Sequence, residues 1–357
     1  MHNIGKKPKV FFELSGIHPE MPFEEIFGIL ESQSIPFKIV KRIPRILILE
    51  IEEDNINKLF YRPAFCKSIN RLILRSNFNL REIEKEIKQI NFGDYLDKGS
   101  TFSVRIKSLI PSSEKFNISV NSEILETKLG QMILDSSKVS IKVDLENPEL
   151  LFRGIFTKNE LILGIQLTRF NSKKYQARAG PNKPFFHPCG LDPKFARLMV
   201  NLARPREREI IYDPFCGIGS ILIEAGLIGY RTIGSDVSWK MINGCLENLE
   251  YYNISNSEIL KVDSRFSPIR MADTIVTDPP YGKASVIEAN SVKSLYKKFL
   301  RYSRDLIKEN KFMVFASPKK LETKIRNILK NNDFLIDKKF DYYIHRSLIR
   351  NIWIVKI

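Results

Sequence analysis

The sequence has few cysteines, and no two of them are close together. The four are Cys66, Cys189, Cys216 and Cys245, and they form no C-x-x-C pair. This scatter argues against a zinc ribbon, an iron–sulfur cluster or a disulfide framework. We expect reduced thiols, with Cys216 as a small packing residue rather than a nucleophile.

Long hydrophobic runs are also missing. No stretch of about 18 apolar residues occurs, and no signal peptide of basic, apolar and small residues opens the sequence. We therefore expect neither membrane insertion nor secretion, and the cytoplasm is the expected location.

Positive charge is concentrated in the second half of the chain. The net charge is +16, and residues 1–168 contain 24 Lys and Arg against 22 Asp and Glu. Residues 169–357 contain 33 against 19. Such an excess favours a polyanionic partner, with RNA or DNA ahead of an anionic membrane because no basic amphipathic helix stands out. A basic surface without a partner is the alternative.

The first half of the chain contains two blocks of strand and helix patterns. Residues 9–75 predict a small α+β layer, and residues 80–168 predict an amphipathic helix followed by short strands. Neither block contains clustered histidines, paired acids or a glycine loop. The predicted divisions are domains at 1–75 and 76–168, a basic linker at 169–184 and a last domain at 185–357.

In the last block, strand patterns alternate with helix patterns. Strands are predicted at EIIYDPF, RTIGSDV, EILKVDS, ADTIVTD and KFMVFAS, with amphipathic helices between several of them. This alternation predicts an α/β fold with a parallel, doubly wound sheet and right-handed crossovers. Open sheets of this kind bind ligands at the carboxyl ends of their strands.

The first of these strands leads into an acidic, glycine-containing turn, 210-IIYDPFCGIGSILIEAG-226. Gly217 and Gly219 allow a ligand to approach the backbone closely. The turn is not G-x-G-x-x-G and has no Walker-type lysine, so nucleotide hydrolysis is disfavoured. Asp213 would repel a phosphate but would attract a cationic or amino-bearing ligand.

The next three strands also end in aspartate, at Asp236, Asp263 and Asp278. An acid about 20 residues beyond the first turn commonly binds a ribose diol in this fold class. A single aspartate at a strand end is more often a helix cap or a turn former. Four in series indicate a ligand site instead.

Together, DPFCGIGS, GSDVS, KVDS and TDPPYG resemble the S-adenosylmethionine-dependent methyltransferases that modify exocyclic amino groups of bases. The resemblance implies that Asp213 and the following turn hold the amino-acid part of the cofactor. It implies that Asp236 binds the ribose and that Asp263 with Ser264 brackets the adenine. The implied cofactor-binding residues are Asp213, Pro214, Phe215, Cys216, Gly217, Gly219, Asp236, Val237, Asp263 and Ser264.

The stretch 277-TDPPYG-282 then carries the chemistry. An exocyclic amine is a poor nucleophile because its lone pair is delocalised into the ring, so its N–H bonds need acceptors. Asp278 and the carbonyl of Pro279 can accept them, and Pro279 and Pro280 restrict the backbone. Tyr281 offers a ring on which an extruded base can stack. No metal is required, because the sulfonium is the electrophile.

Upstream segments indicate the substrate. Residues 139–167 resemble the end of a THUMP domain, an RNA-binding module of tRNA-modifying enzymes, and residues 9–75 resemble the ferredoxin-like domain that precedes it. Residues 183–204 and 344–357 resemble the lead-in helix and closing hairpin of archaeal tRNA guanosine-10 methyltransferases. The resemblance implies methylation of the N2 amine of guanosine 10 in tRNA. Candidate substrate contacts are Lys183, His187, His345, Arg346 and Arg350.

Several alternatives stay open at this level. A base amino-methyltransferase that acts on another RNA or on DNA shares the chemistry, but the DNA enzyme gives no reason for the THUMP-like half. A thiouridine synthetase shares that half but needs an ATP-binding loop and paired reactive cysteines. A tRNA-binding module with a degenerate catalytic domain is the third alternative. One or two methyl groups fit equally; we expect a monomer, and the resemblance allows a small activator protein as a further partner.

Overall fold

In a computed structural model of the 357-residue chain, residues 8–77, 79–110, 122–265, 268–281, 289–345 and 348–357 are described. The α-helices are α1 Met21–Ser32, α2 Glu53–Ile56, α3 Leu80–Ile87, α4 Ser122–Ser136, α5 Lys173–Gln176, α6 Pro193–Leu202, α7 Ser220–Gly226, α8 Trp239–Tyr251, α9 Ala289–Leu306 and α10 Glu322–Lys330. The strands are β1 Lys9–Leu14, β2 Phe37–Ile43, β3 Ile46–Ile51, β4 Cys66–Asn77, β5 Thr101–Ser108, β6 Lys142–Val143, β7 Leu150–Phe156, β8 Glu160–Arg169, β9 Ile210–Asp213, β10 Arg231–Asp236, β11 Ser257–Lys261, β12 Thr274–Thr277, β13 Phe312–Pro318, β14 Leu335–His345 and β15 Leu348–Lys356.

Two compact units share the chain. Unit 1 comprises the described part of residues 1–14 together with Phe37–Asp54 and Cys66–Arg169. Its sheet has the strand order β2-β3-β1-β4-β8-β7-β5-β6. Helices α3 and α4 bury Ile83, Ile87, Leu129 and Ile133 against the apolar core of this sheet. Asn79 begins α3 by accepting the backbone N–H groups of Arg81 and Glu82.

Unit 2 comprises Ser15–Pro36, Asn55–Phe65 and Phe170–Ile357. Its sheet has the order β11-β10-β9-β12-β13-β15-β14. The first five strands are parallel, as the alternating pattern predicts, and β15 and β14 add an antiparallel edge. Strands β14 and β15 pair over nearly their whole length as a hairpin, and the segment that joins them is too short for a parallel crossover, so their pairing is antiparallel. Apolar cores lie on both faces of the sheet.

The predicted domain at residues 1–75 is not a compact unit of its own. Its β-α-β-β-α-β connectivity is the expected ferredoxin-like one, but β4 pairs with β8, so its strands continue into the sheet of the second block. Residues 15–36 and 55–65 belong to unit 2 instead. The sequence shows no sign of this exchange, because both segments have ordinary amphipathic patterns.

Helix α1 is anchored inside unit 2 by a buried acid. Glu25 is fully buried and accepts the backbone N–H groups of Ala64 and Phe65 and the side-chain amide of Asn201 on α6. A Cβ on Gly28 would lie 2.4 Å from the carbonyl oxygen of Asn201. The absence of that Cβ lets α1 and α6 approach closely.

The segment predicted as a linker, 169–184, is packed rather than extended. Tyr175 is buried in the core of unit 2, and Arg178 forms an ion pair with the buried Glu224 at 2.7 Å. Polar and basic composition predicts a linker, but here the guanidinium of Arg178 is paired with a buried carboxylate of unit 2.

Several elements have no counterpart in the sequence-based prediction, among them β2, α4, α9 and α10. Most of β2 is only half-buried or exposed, and α4 buries only Leu125, Leu129 and Ile133, so neither has a strong apolar period. Among the short strands predicted within residues 80–168, the alternating run SKVSIKVDL at residues 137–145 forms only the two-residue strand β6. Within the described residues, no helix has both the length and the apolar character needed to cross a membrane.

Candidate active site

Three of the predicted acids meet at one edge of the unit 2 sheet. Strands β10, β9 and β12 are neighbours in the sheet and run parallel. Their carboxyl ends therefore bring together Asp236, Asp213 and Asp278, which are distant in sequence. The charges of Asp278 and Asp236 both raise the pKa of Asp213, as expected for three carboxylates that lie close together.

Asp213 is the most deeply buried of these acids, with 1% of its surface exposed. Its Oδ1 accepts the hydroxyl of Thr277 at 2.6 Å and the backbone N–H of Phe215 at 3.1 Å. Burial raises the pKa of Asp213 to about 7, against the lowering effect of these two hydrogen bonds. A cation bound beside it would favour the ionised form.

Of the two glycines in the turn after β9, one borders open space and the other packs against a neighbouring side chain. Gly217 and Gly219 both have positive φ, 51° and 83°. A Cβ on Gly217 would meet nothing within 4 Å, whereas a Cβ on Gly219 would lie 2.7 Å from Sγ of Cys245. Cys216 is buried beside Cys245, whose hydrogen bond, together with burial, raises the pKa of the Cys216 thiol. Cys216 is thus a packing residue and not a nucleophile. Pro214 is buried and Phe215 is half-buried in the same turn.

Asp236 connects the second strand to this turn. Its Oδ2 accepts the backbone N–H of Gly217 at 3.1 Å, and its Oδ1 accepts that of Ser238 at 2.9 Å. Burial raises its pKa, although these backbone N–H groups lower it. The neighbouring Val237 is 66% exposed, so an apolar side chain beside the acid is accessible to a ligand.

Asp263 and Ser264 follow β11, as predicted. Both oxygens of Asp263 accept hydrogen bonds from Arg265, and these lower the pKa of Asp263. Ser264 is buried. Arg265 therefore binds the carboxylate to which the family resemblance assigns the adenine.

Asp278 belongs to a cluster with Tyr281 and Arg350. The hydroxyl of Tyr281 donates to Oδ1 of Asp278, and Nη2 of Arg350 lies 3.5 Å from Oδ2. Burial raises the pKa of Asp278, while Arg350 and Tyr281 lower it. The guanidinium also lies 5.3 Å from the centre of the Tyr281 ring, so one face of that ring is already in contact with Arg350.

The prolines of the DPPY sequence, residues 278–281, are packed against the protein. Pro279 is buried and Pro280 is half-buried, immediately after β12. Thr277 is fully buried and bonds Asp213, so the residue directly before Asp278 is tied to the turn after β9.

Two candidate substrate residues lie on the lead-in segment before α6. Lys183 is 7% exposed, and its Nζ lies 3.4 Å from Oγ of Ser220, the residue that follows Gly219. Burial lowers its pKa. The ammonium of Lys183 therefore lies beside the turn that follows β9. The Nδ1 atom of His187 accepts the backbone N–H of Cys189, so this histidine stabilises a local turn.

The remaining candidates come from the closing hairpin. Arg350 lies within β15, not at the hairpin turn, and its guanidinium faces the Asp278 cluster. His345 is exposed at the end of β14. Arg346 lies outside the described residues.

Three contributions to the site escape sequence reasoning. Thr277 bonds Asp213, and Asn248 on α8 clamps the lead-in segment by bonding the N–H and the carbonyl of Phe185 and the carbonyl of Ile218. The third is the pairing of Arg350 with Asp278. The position of Thr277 directly before DPPY was the only signal in the sequence, since the other contacts join distant segments.

Two family models match the chain: the THUMP domain over residues 77–166 and the RMKL-like methyltransferase domain over residues 181–334. The chain is 32% identical to the tRNA (guanine(10)-N2)-dimethyltransferase of Methanothermobacter thermautotrophicus, over 96% of this chain and 98% of that protein. The protein of the same name from Methanocaldococcus jannaschii is also 32% identical, over 97% of this chain and 99% of its own length. The chain belongs to the family of archaeal tRNA (guanine(10)-N2)-dimethyltransferases.

A solved structure supports the fold. SMU.472, complexed with SAH, has a TM-score of 0.57 and 15% identity, and the comparison covers 98% of both chains. The THUMP-containing N-terminal half and the Rossmann-like α/β methyltransferase domain are therefore confirmed. The protein is an S-adenosylmethionine-dependent methyltransferase, as the motifs implied.

The residues at the site fit this cofactor. Space beside Gly217 is open, the carboxylates of Asp213, Asp236 and Asp278 suit a cationic ligand, and Asp236 keeps lone pairs for a ribose diol. Exposed Val237 offers an apolar contact for a base.

Proposed function

We propose that this protein methylates the exocyclic N2 amine of guanosine 10 in tRNA. The observation that carries the proposal is the link between Thr277 and Asp278, which are consecutive residues at the end of β12. Thr277 bonds Asp213 of the cofactor turn at 2.6 Å, and Asp278 presents its carboxylate in the neighbouring catalytic cluster. The acceptor for the amine is thereby held at a fixed place relative to the cofactor.

The roles of the residues follow from the chemistry of the amine. The cofactor supplies an electrophilic methyl group on a sulfonium. Asp278 accepts one N–H of the guanine amine and the carbonyl of Pro279 accepts the other, which directs the nitrogen lone pair away from the ring. Burial raises the pKa of Asp278, so its carboxylate is a better acceptor for the proton that the amine loses. The Tyr281 face that Arg350 does not contact is left for the base.

We assign cofactor binding to the neighbouring acids and to Lys183. Asp213 would bind the amino-acid part of the cofactor, Asp236 would bind the ribose, and Val237 would contact the adenine. Lys183, predicted from the sequence as a substrate contact, is better placed to pair with the carboxylate of the cofactor, because its ammonium is buried beside Ser220 of the turn. Asp263 would contact the adenine while its carboxylate also accepts hydrogen bonds from Arg265.

Three findings support tRNA as the substrate. The THUMP match covers residues 77–166, two relatives similar over nearly the whole chain are named for guanosine 10 of tRNA, and residues 169–357 carry most of the positive charge. The relatives are named dimethyltransferases, which favours two methyl groups. The cytoplasmic location, the monomeric state and the use of an activator protein stay predictions.

The decisive test is nucleoside mass spectrometry. An unmodified tRNA transcript is incubated with the protein and S-adenosylmethionine, beside a transcript in which guanosine 10 is replaced by adenosine. We expect N2-methylguanosine and N2,N2-dimethylguanosine in the first transcript only. Asp278→Asn should lower the rate by about 10²-fold or more, because the amine loses its ionised acceptor.

The matched control is Asp333→Asn, which removes one exposed carboxylate from the same unit at a left-handed position that asparagine tolerates. Its rate should equal that of the wild type. Methylation of the adenosine-10 transcript would contradict the assigned position, and absence of methylated guanosine from both transcripts would contradict the assigned reaction.

A further inference from the structure

A basic cleft lies between α9 and α10 of unit 2, outside the catalytic cluster. It has a volume of about 320 Å³. Its rim carries Lys293, Lys297 and Lys324, and its floor includes the buried Ile325 and the partly buried Ile328. The rim lysines are on the helix faces that meet, since Lys293 and Lys297 are four residues apart and Lys324 is one turn before Ile328.

The three ammonium groups have no carboxylate to neutralise them within the described part of the chain. None of the three forms an ion pair with a described residue, and no acidic side chain is among the described residues that line the cleft. Lys293 faces Lys324 closely enough to lower the pKa of Lys324. Two like charges held together over an apolar floor favour an anion between them.

The cleft adjoins the catalytic cluster through a single buried side chain. Tyr296 lies on α9 between two of the rim lysines and lines the cleft. Burial and then the carboxylate of Asp278 raise the pKa of the Tyr296 phenol. Helices α9 and α10 follow the parallel strands β12 and β13, so their N-terminal halves, which carry Lys293 and Lys324, lie near the sheet edge where Asp278 follows β12.

We propose that this cleft binds the phosphate backbone of the RNA substrate close to the reacting guanosine. The inference rests on the proposed function, which supplies a polyanionic substrate at Asp278. Three ammonium groups match phosphodiester oxygens, and the apolar floor with the carboxamide of Asn327 fits a sugar or a base edge. Lysine contacts of this kind raise affinity without reading sequence.

The test compares two lysines of the same helix. Lys324 lines the cleft, whereas Lys330 is exposed on another face of α10. Binding of an unmodified tRNA transcript is measured by fluorescence anisotropy at several salt concentrations for Lys324→Gln and Lys330→Gln. We expect Lys324→Gln to raise Kd by roughly 3- to 10-fold and to reduce the slope of log K against log salt by about one.

Lys330→Gln should change Kd by less than about 2-fold, because its charge acts only through the general field. A triple change, Lys293→Gln, Lys297→Gln and Lys324→Gln, should raise the KM for tRNA while the affinity for S-adenosylmethionine stays at the wild-type value. Melting temperatures and the retained cofactor affinity show that the variants are folded.

The outcomes separate this inference from the proposed function. Equal losses of tRNA affinity for Lys324→Gln and Lys330→Gln would overturn the cleft as an RNA site and would indicate a different acidic partner. Lysine-dependent tRNA binding without any methylated guanosine would support the cleft and reject the proposed reaction. A wild-type protein that does not bind tRNA would overturn the inference.

Discussion

Arg350 and Asp278 form an ion pair between strands that are not neighbours in the sheet. Nη2 of Arg350 lies 3.5 Å from Oδ2 of Asp278, and β13 separates β15 from β12. The same guanidinium lies 5.7 Å from the ring centre of Phe195 on α6. The acid of the catalytic motif is therefore held by a residue 72 positions away in sequence.

The first prediction concerns the pH dependence of methyl transfer. Burial raises the pKa of Asp278, and Arg350 opposes that increase. Arg350→Gln should raise the pKa further, because the positive charge that favours the ionised carboxylate is lost. The acidic limb of kcat/KM should move to higher pH, with a tenfold loss at low pH for each unit of the shift. Initial rates over a range of pH measure it.

Arg350→Lys is the matched variant for this experiment. It keeps the positive charge, so its pH profile should lie between those of the wild type and Arg350→Gln. Profiles that differ in height but not in position would show that Arg350 only supports the local structure.

The second prediction is a trade-off at Asp213. Its pKa of about 7 lies above the ordinary value of 3.8, so the folded protein binds a proton more tightly than the unfolded chain does. Its contribution to stability is present below about pH 4 and is lost as the pH rises to about 7. Asp213→Asn should therefore increase the free energy of unfolding without cofactor by on the order of 2–4 kcal/mol at about pH 8.

The same substitution should weaken S-adenosylmethionine binding by at least about tenfold, because a negative charge facing the cofactor is lost. Urea unfolding at acidic and alkaline pH, with calorimetric titration of the cofactor, checks both effects. A variant that is less stable than the wild type at alkaline pH would contradict the assigned pKa.

The third prediction tests Lys183 as a cofactor contact. Lys183→Met keeps the volume of the buried side chain but removes the ammonium beside Ser220. We expect the Kd for S-adenosylmethionine to rise about tenfold, the cost of one lost charge-assisted hydrogen bond. Lys173→Met, at an exposed position of the same segment, is the control. If only the KM for tRNA changes, Lys183 contacts the substrate as the sequence first indicated.

The fourth prediction concerns packing behind the cofactor turn. A Cβ on Gly244 of α8 would lie 2.0 Å from the ring of Phe185. Gly244→Ala should displace that ring, destabilise the protein by about 1–3 kcal/mol and weaken cofactor binding. Helix propensity alone predicts the opposite effect, an increase of about 1 kcal/mol in the free energy of unfolding. Phe185→Leu in the same chain should restore part of both losses; a stable single variant would contradict the tight contact.

Much of the architecture follows from local patterns. Alternating strands and amphipathic helices predict the α/β sheet of unit 2, and β9, β10, β11, β12 and β13 fall where the apolar runs end in acid or loop residues. The motif DPFCGIGS predicts close approach of a ligand at its glycines, and the backbone at Gly217 and Gly219 has positive φ, which glycine adopts at no steric cost. The acids Asp213, Asp236 and Asp278 converge as predicted, since parallel strands place their carboxyl ends at one edge.

By itself, the sequence determined the family and the cofactor and predicted the acids that we assign to the site, because these depend on short motifs with fixed backbone geometry. Only the tertiary structure decided which segments belong to which unit, for Ser15–Pro36 and Asn55–Phe65 join unit 2 through contacts such as that of Glu25 with Asn201. It also decided the partners of Asp278 and the place of Lys183. The physical reason is the same in each case: these contacts join residues far apart in sequence, and no local period or motif encodes a long-range pair.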